Sequence, residues 1–205
     1  NRDIASGKVP PAATTSMQGD MFEFGRTYLE ARAYRRLSAA HWSANNRERS
    51  LYNILAKAGV PMFPFGSGAG GNVDGYGMML HRALKPYEDM VSRGEKPFMA
   101  LMKQSDLQPF VNQVVSQLEQ GYLNINTLVA MDSRLDELNW LYKLWEKRGL
   151  VSYNGLLYKL TSAGEFWTVN ITQSTLEAVE YIITGKNSFA LESVAAQDTK
   201  TTSKE

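Results

Sequence analysis

Three groups of residues have the types and spacing to do chemistry. The first is "FGSGAGG", Phe65 to Gly71, inside a stretch with six glycines between Gly66 and Gly77. Gly66, Gly68 and Gly71 spell G-x-G-x-x-G after an apolar run, where bare backbone N–H groups can approach a phosphate or a cofactor. Glycines in that number serve a sharp turn equally well. No Lys-Ser/Thr pair follows, so the loop is not a P-loop. No acidic residue stands at a second strand end about 20 residues on, as a dinucleotide site requires. The second group is His41 with Trp42, at the end of a strand-like run. Such ends hold functional side chains in α/β enzymes, or a satisfied structural histidine. The third is basic: "YRR" and "NNRERS", in which Arg47 and Arg49 could meet a ligand carboxylate or only form a solvated face. His81 falls in a helical pattern and reads as a surface or packing residue.

Composition removes several classes of chemistry. The 205-residue chain has no cysteine, which excludes disulfides, thiolate zinc, a catalytic thiol and a Cys-held iron–sulfur cluster within this sequence. There are two histidines, and no carboxylate spacing points to a metal. Lys plus Arg total 22 against 21 for Asp plus Glu, so the basic excess usual in a nucleic-acid binder is not visible. No apolar run is long enough for a membrane span, and no signal peptide is visible. The expected location is cytoplasmic. The start at Asn1 instead of Met reads as a piece cut from a longer protein.

The elements that would position these residues follow from periodicity. A polar, Pro-containing start leads into a helix from Met17, with Ser16 as candidate cap. "YRRLSAAHW" reads as a strand and Asn45 to Gly59 as a helix closed by glycine. "VPMFPFG" is a second strand weakened by two prolines. Met78 to Arg93 is a helix that Pro86 could kink. This alternation predicts parallel strands of an α/β unit, the end of a larger sheet. Beyond Pro97 the chain turns helical, over Phe98–Asn124 and Arg134–Ser152. A hairpin follows across Asn154-Gly155, then a last helix to Gly185. Helices, hairpin and helix make a winged-helix-like module, but its reading helix, Leu135 to Arg148, is charge-balanced, which argues against DNA. Residues 186–205 are polar and expected to be mobile.

Several segments in order carry a family resemblance. They are "SGKVPPAATTSMQGDMFEFGRTYLEARAYRRLSAAHWS", "RERSLYN", "FPFGSGAGG" and "GLVSYNGLLYKLTSAGEFWTVNI". From about Val9 to Ile183 the chain resembles the C-terminal half of the HemN-like radical-SAM proteins, the oxygen-independent coproporphyrinogen oxidase family. "HWS", "RERSLYN" and this form of the glycine loop look closer to its heme-degrading methyltransferase branch. Coproporphyrinogen decarboxylation ranks second, and a non-catalytic heme-binding or chaperone relative is the further alternative.

The resemblance implies a fold and a site. Residues 1–95 would be the last strands and helices of a radical-SAM (β/α) barrel, 96–185 a mostly helical winged-helix-like C-terminal domain, and 186–205 a flexible tail. It implies S-adenosylmethionine and a [4Fe–4S] cluster in the full-length parent, with heme or another porphyrin as substrate and a protein electron donor. The cluster's cysteine loop lies in the family's other half, so this Cys-free chain should be inert alone. Ser43, Ala44, Gly66, Gly68, Ala69 and Gly70 match positions that line the cofactor site. His41, Arg47 and Arg49 would face the tetrapyrrole, the arginines pairing propionates and His41 ligating iron or donating a proton. An exposed sheet edge would favour dimerisation or domain swapping.

Overall fold

The computed structural model describes residues 2–45 and 47–186, and the 186–205 tail expectation lies almost wholly outside them. A single turn, α1 (Arg2–Ala5), precedes α2 (Thr15–Glu30). Thr14, not Ser16, caps α2, its Oγ1 accepting from Met17 N at 3.3 Å. One side of α2 packs on the C-terminal region through Phe22 and Phe166, ring centroids 5.7 Å apart. Met17, Met21, Phe24 and Tyr28, at helical spacing, are exposed on α2.

The run expected as one strand folds back on itself. β1 (Arg35–Arg36) and β2 (Trp42–Ser43) pair antiparallel, Arg35 opposite Ser43. Arg36 closes the loop between them, donating from Nε to Ser38 O at 3.1 Å and from Nη2 to Ala39 O at 3.2 Å. α3 (Leu51–Lys57) begins after Ser50, whose φ of 52° interrupts the expected longer helix.

The strands that follow are antiparallel, not the parallel barrel strands expected. β3 (Gly70–Val73), β4 (Tyr76–Leu80) and β5 (Phe98–Lys103) form an antiparallel sheet in that order, with α4 (Leu84–Ser92) between β4 and β5. No closed barrel is present among the described residues. The cause is Asp74-Gly75, whose φ values of 51° and 76° make the two-residue hairpin turn that sends the chain straight back. "MML" and "FMALM" have good helix formers, yet they lie in β4 and β5, where pairing overrides propensity. Pro86 falls in the first turn of α4, where its missing N–H costs nothing, and it does not split the helix.

The rest is helical with one small sheet. α5 (Gln108–Glu119), β6 (Tyr122–Leu123), α6 (Ile125–Val129), a 3-10 turn at Ser133–Glu137 and α7 (Leu138–Lys147) lead to β7 (Val151–Tyr153), β8 (Tyr158–Leu160), α8 (Ser162–Phe166) and α9 (Thr168–Thr184). The sheet order is β6-β8-β7, all antiparallel. The expected hairpin forms, but its loop is four residues, 154–157, and not a two-residue Asn154-Gly155 turn; Asn154 Oδ1 accepts from Leu156 N and Leu157 N, both at 3.0 Å. The expected last helix breaks at Trp167 into α8 and α9.

The core is one-sided. Its buried apolar cluster runs from Val114 to Val179. Among the described residues before Gln108, the buried ones are Ser43, Leu80 and Pro97. Besides the Phe22–Phe166 contact, ion pairs tie α2 and the β1–β2 loop to this region. Glu165 on α8 takes Arg26 Nε of α2 at 3.1 Å and also contacts the Arg36 guanidinium. The Arg26 approach is off the hydrogen-bond direction, so its attraction is Coulombic. Ser162 Oγ donates to Glu23 beside it. The Glu165 side chain is 17% exposed, shielded enough to exceed an ordinary surface pair. Glu165→Gln should therefore cost about 1–2 kcal/mol, since it leaves two guanidiniums facing a neutral amide. Hydrogen exchange checks it: amides of α2 should lose protection before those of α9, and unchanged protection of α2 would dismiss the latch.

Candidate functional site

Two neighbouring pockets open where β1–β2, α3 and the end of α5 meet. Leu37, Ile54 and Gln120 belong to the walls of both. The first, about 300 Å³, is lined by the Leu37–His41 turn, by Asn53 and Lys57 of α3, and by Glu119 of α5. His41 Nδ1 and Ser38 Oγ lie 2.8 Å apart, which orients the ring and leaves Nε2 without a partner among the described residues. Lys57 Nζ pairs Glu119 Oε1 at 3.1 Å, so that wall carries no net charge.

The second pocket, about 550 Å³, is lined by Arg35, Arg36, Arg49, Gln120 and three aliphatic side chains, with no carboxylate. Arg36 is committed to Glu165 and the loop carbonyls. Arg35 spends one N–H on Glu48 O at 3.2 Å. Arg49 makes no hydrogen bond or ion pair among the described residues. Guanidiniums with free N–H groups in a concave, acid-free wall suit an oxyanion such as a carboxylate or a phosphate.

The structure thus brings His41 and Arg49 to adjoining pockets. Ser43 is buried beneath, its hydroxyl donating to Asn45 O and accepting from Asn45 N at 3.3 Å. Ala44 is exposed, and Arg47 starts the chain toward α3 with its N–H on Asn45 Oδ1 at 2.9 Å. Arg35, Lys57 and Gln120 were not singled out from sequence. The "YRR" charge was the available signal for Arg35; nothing local marks the other two, because α3 and α5 meet only in the fold.

Gly66, Gly68, Ala69 and Gly70 line neither pocket. Their loop is fastened to the end of β4. Gly68 N donates to His81 O at 2.8 Å, Ala69 N to Gly66 O at 3.2 Å, and Ser67 Oγ to Arg82 O at 2.9 Å. Gly66 and Gly68 have φ of 91° and 75°, which only glycine adopts readily. A Cβ on Gly71 would meet the backbone of Met62 and Pro64, which bridges onto β3. A third, larger groove of about 790 Å³ lies against the β3–β5 sheet, walled by Phe63, Phe65, Tyr76, Tyr87 and Phe98 with Lys96 on its rim. No group of three His, Asp or Glu among the described residues could hold a metal ion. No helix there is long and apolar enough to cross a membrane.

No family model matches the chain. Among curated proteins, an anaerobilin synthase of Escherichia coli O157:H7 is 31% identical over 164 residues, which is 80% of this chain and 36% of that protein. Among solved structures, coproporphyrinogen III oxidase (HemN) of Escherichia coli, described as a radical SAM enzyme, superposes with a TM-score of 0.58. That match has 14% identity and covers 80% of this chain and 42% of the other, so it speaks for the fold. The chain spans about a third of the length of the curated relative it matches.

Proposed function

The chain belongs to the HemN-like radical-SAM family, corresponding to its C-terminal portion, and from that premise we propose that it is part of an enzyme that degrades heme anaerobically by methyl transfer and ring opening. The observation that carries this reading is the 31% identity to an anaerobilin synthase, sustained over 164 residues. The second reading, oxidative decarboxylation of coproporphyrinogen, rests on the sequence resemblance; the fold likeness is compatible with either reading.

A [4Fe–4S] cluster does not fit the residues present here: the sequence has no cysteine, and the described residues offer no alternative ligand set. In this proposal the cluster belongs to a portion outside this sequence, which also receives electrons from a donor protein. What this chain contributes is a wall of the substrate cavity. His41, held by Ser38, and the arginine pocket face the tetrapyrrole. Ser43, Ala44 and the Gly66–Gly70 loop are the proposed contacts to S-adenosylmethionine, through backbone groups, since the Ser43 hydroxyl is already engaged. The order α5, β6, α6, α7, β7–β8 supports a winged-helix-type C-terminal unit. β5 belongs to the preceding sheet, so we place the boundary at residues 104–107, later than the 95/96 division read from sequence.

The test uses the full protein, reconstituted without oxygen and given S-adenosylmethionine, a low-potential reductant and either heme or coproporphyrinogen III. Loss of the Soret band with a methylated linear tetrapyrrole is the expected outcome. Protoporphyrinogen formation would move the protein to the second reading. Heme that binds unchanged would leave a binding module without turnover.

A further inference from the structure

We propose that Arg35 and Arg49 form a carboxylate-binding pocket that holds the acid side chains of a flat apolar ligand lying across the His41 pocket. The proposal rests on the tetrapyrrole reading for the ligand's identity, and on the geometry for the rest. The pocket gathers three guanidiniums, and no acidic side chain lines it. Arg36 is spent on Glu165 and on the Ser38 and Ala39 carbonyls, so it holds the floor. Arg35 keeps free N–H groups after its one bond to Glu48 O, and Arg49 keeps its full set among the described residues.

The wall shared with the His41 pocket has two aliphatic side chains, Leu37 and Ile54, and one amide, Gln120. Gln120 already donates to Ser116 O at 2.8 Å and is thereby fixed in place. A ligand with an apolar body and anionic ends matches this sequence of surfaces: first a wall whose one Lys57–Glu119 pair leaves no net charge, with the imidazole, then guanidiniums beyond. A compact phosphate would use the second pocket alone and leave the first empty. Both volumes, about 300 and 550 Å³, are of the size that small ligands occupy.

Blocking the carboxylates tests this directly. Ferric heme and its dimethyl ester, which lacks both charges, are titrated into the full protein and followed by absorbance. The free acid should bind about tenfold or more tightly than the ester, the usual scale for lost charge-assisted hydrogen bonds. The double variant R35Q/R49Q should erase that preference, weakening the free acid far more than the ester, with circular dichroism confirming the fold. Equal binding of acid and ester by the wild-type chain, or a preference that survives in R35Q/R49Q, overturns the carboxylate pocket and leaves the tetrapyrrole reading standing. A folded chain that binds neither compound overturns both.

Discussion

Gly164→Ala is expected to lower the unfolding free energy by about 3 kcal/mol or more, at the upper end of what overpacking costs. In most helices the exchange would gain about 1 kcal/mol from propensity. Here the added Cβ would overlap the Leu150 carbonyl oxygen and stand 3.0 Å from its carbon and 3.4 Å from Leu160 Cβ. The carbonyl cannot step aside, because it accepts from Thr161 N at 3.0 Å and Thr161 Oγ1 at 3.1 Å. Thr161 Oγ1 also caps α8 by accepting from Gly164 N at 3.1 Å. Moving any one group opens the junction of α8 with the strand before it. Gly155→Ala is the control. Its φ is 92° with nothing within 4 Å of the new Cβ, so only backbone strain of about 1 kcal/mol is added. Denaturant midpoints should separate the two variants widely. Equal midpoints would mean that α8 slides freely.

Tyr142→Ala should cost about 4 kcal/mol, as removal of a fully buried aromatic does. The side chain has no exposed surface and is braced by Trp145 and Tyr158, at centroid distances of 4.9 and 5.1 Å. Its hydroxyl lies 2.9 Å from Thr175 Oγ1, which itself donates to Ile171 O at 2.7 Å. Tyr142→Phe keeps the packing and loses that bond, for about 1 kcal/mol. Burial pushes the Tyr142 phenol well above its ordinary value, opposed only in part by Thr175. The folded state therefore prefers the protonated ring more than the unfolded chain does. Its contribution is full below about pH 10 and declines as pH rises beyond that. Alkaline unfolding should shift to higher pH in Tyr142→Phe, and an identical alkaline profile would contradict this assignment.

The C-terminal elements were legible because their signals are local. Asn154-Gly155 named its hairpin, and the Leu135–Trp145 periodicity announced a helix whose first turn alone became 3-10. The sheet before it was not legible from the same cues. Met78–Leu80 and Phe98–Met102 are apolar runs without alternation, and they became strands only by pairing with each other and with β3. Asp74-Gly75 is as good a turn signal as Asn154-Gly155, but it stands among glycines whose spacing fits a ligand loop equally well. His41 and Arg49 were visible as residue types. Their meeting was not, since it depends on how Arg36 folds the loop between β1 and β2.

The one-sided core determines how this chain can drift in evolution. Between Val114 and Val179, a substitution is judged by the neighbours it is packed against, so folding is what selection sees. Before Gln108 few side chains have such neighbours, and a change there is judged by what the surface encounters. The two stretches should therefore accumulate differences at unequal rates and for unrelated reasons. Met17, Met21, Phe24 and Tyr28 are the informative positions. Apolar residues preserved there, on a helix face that this fold leaves bare, would record a contact made outside these residues.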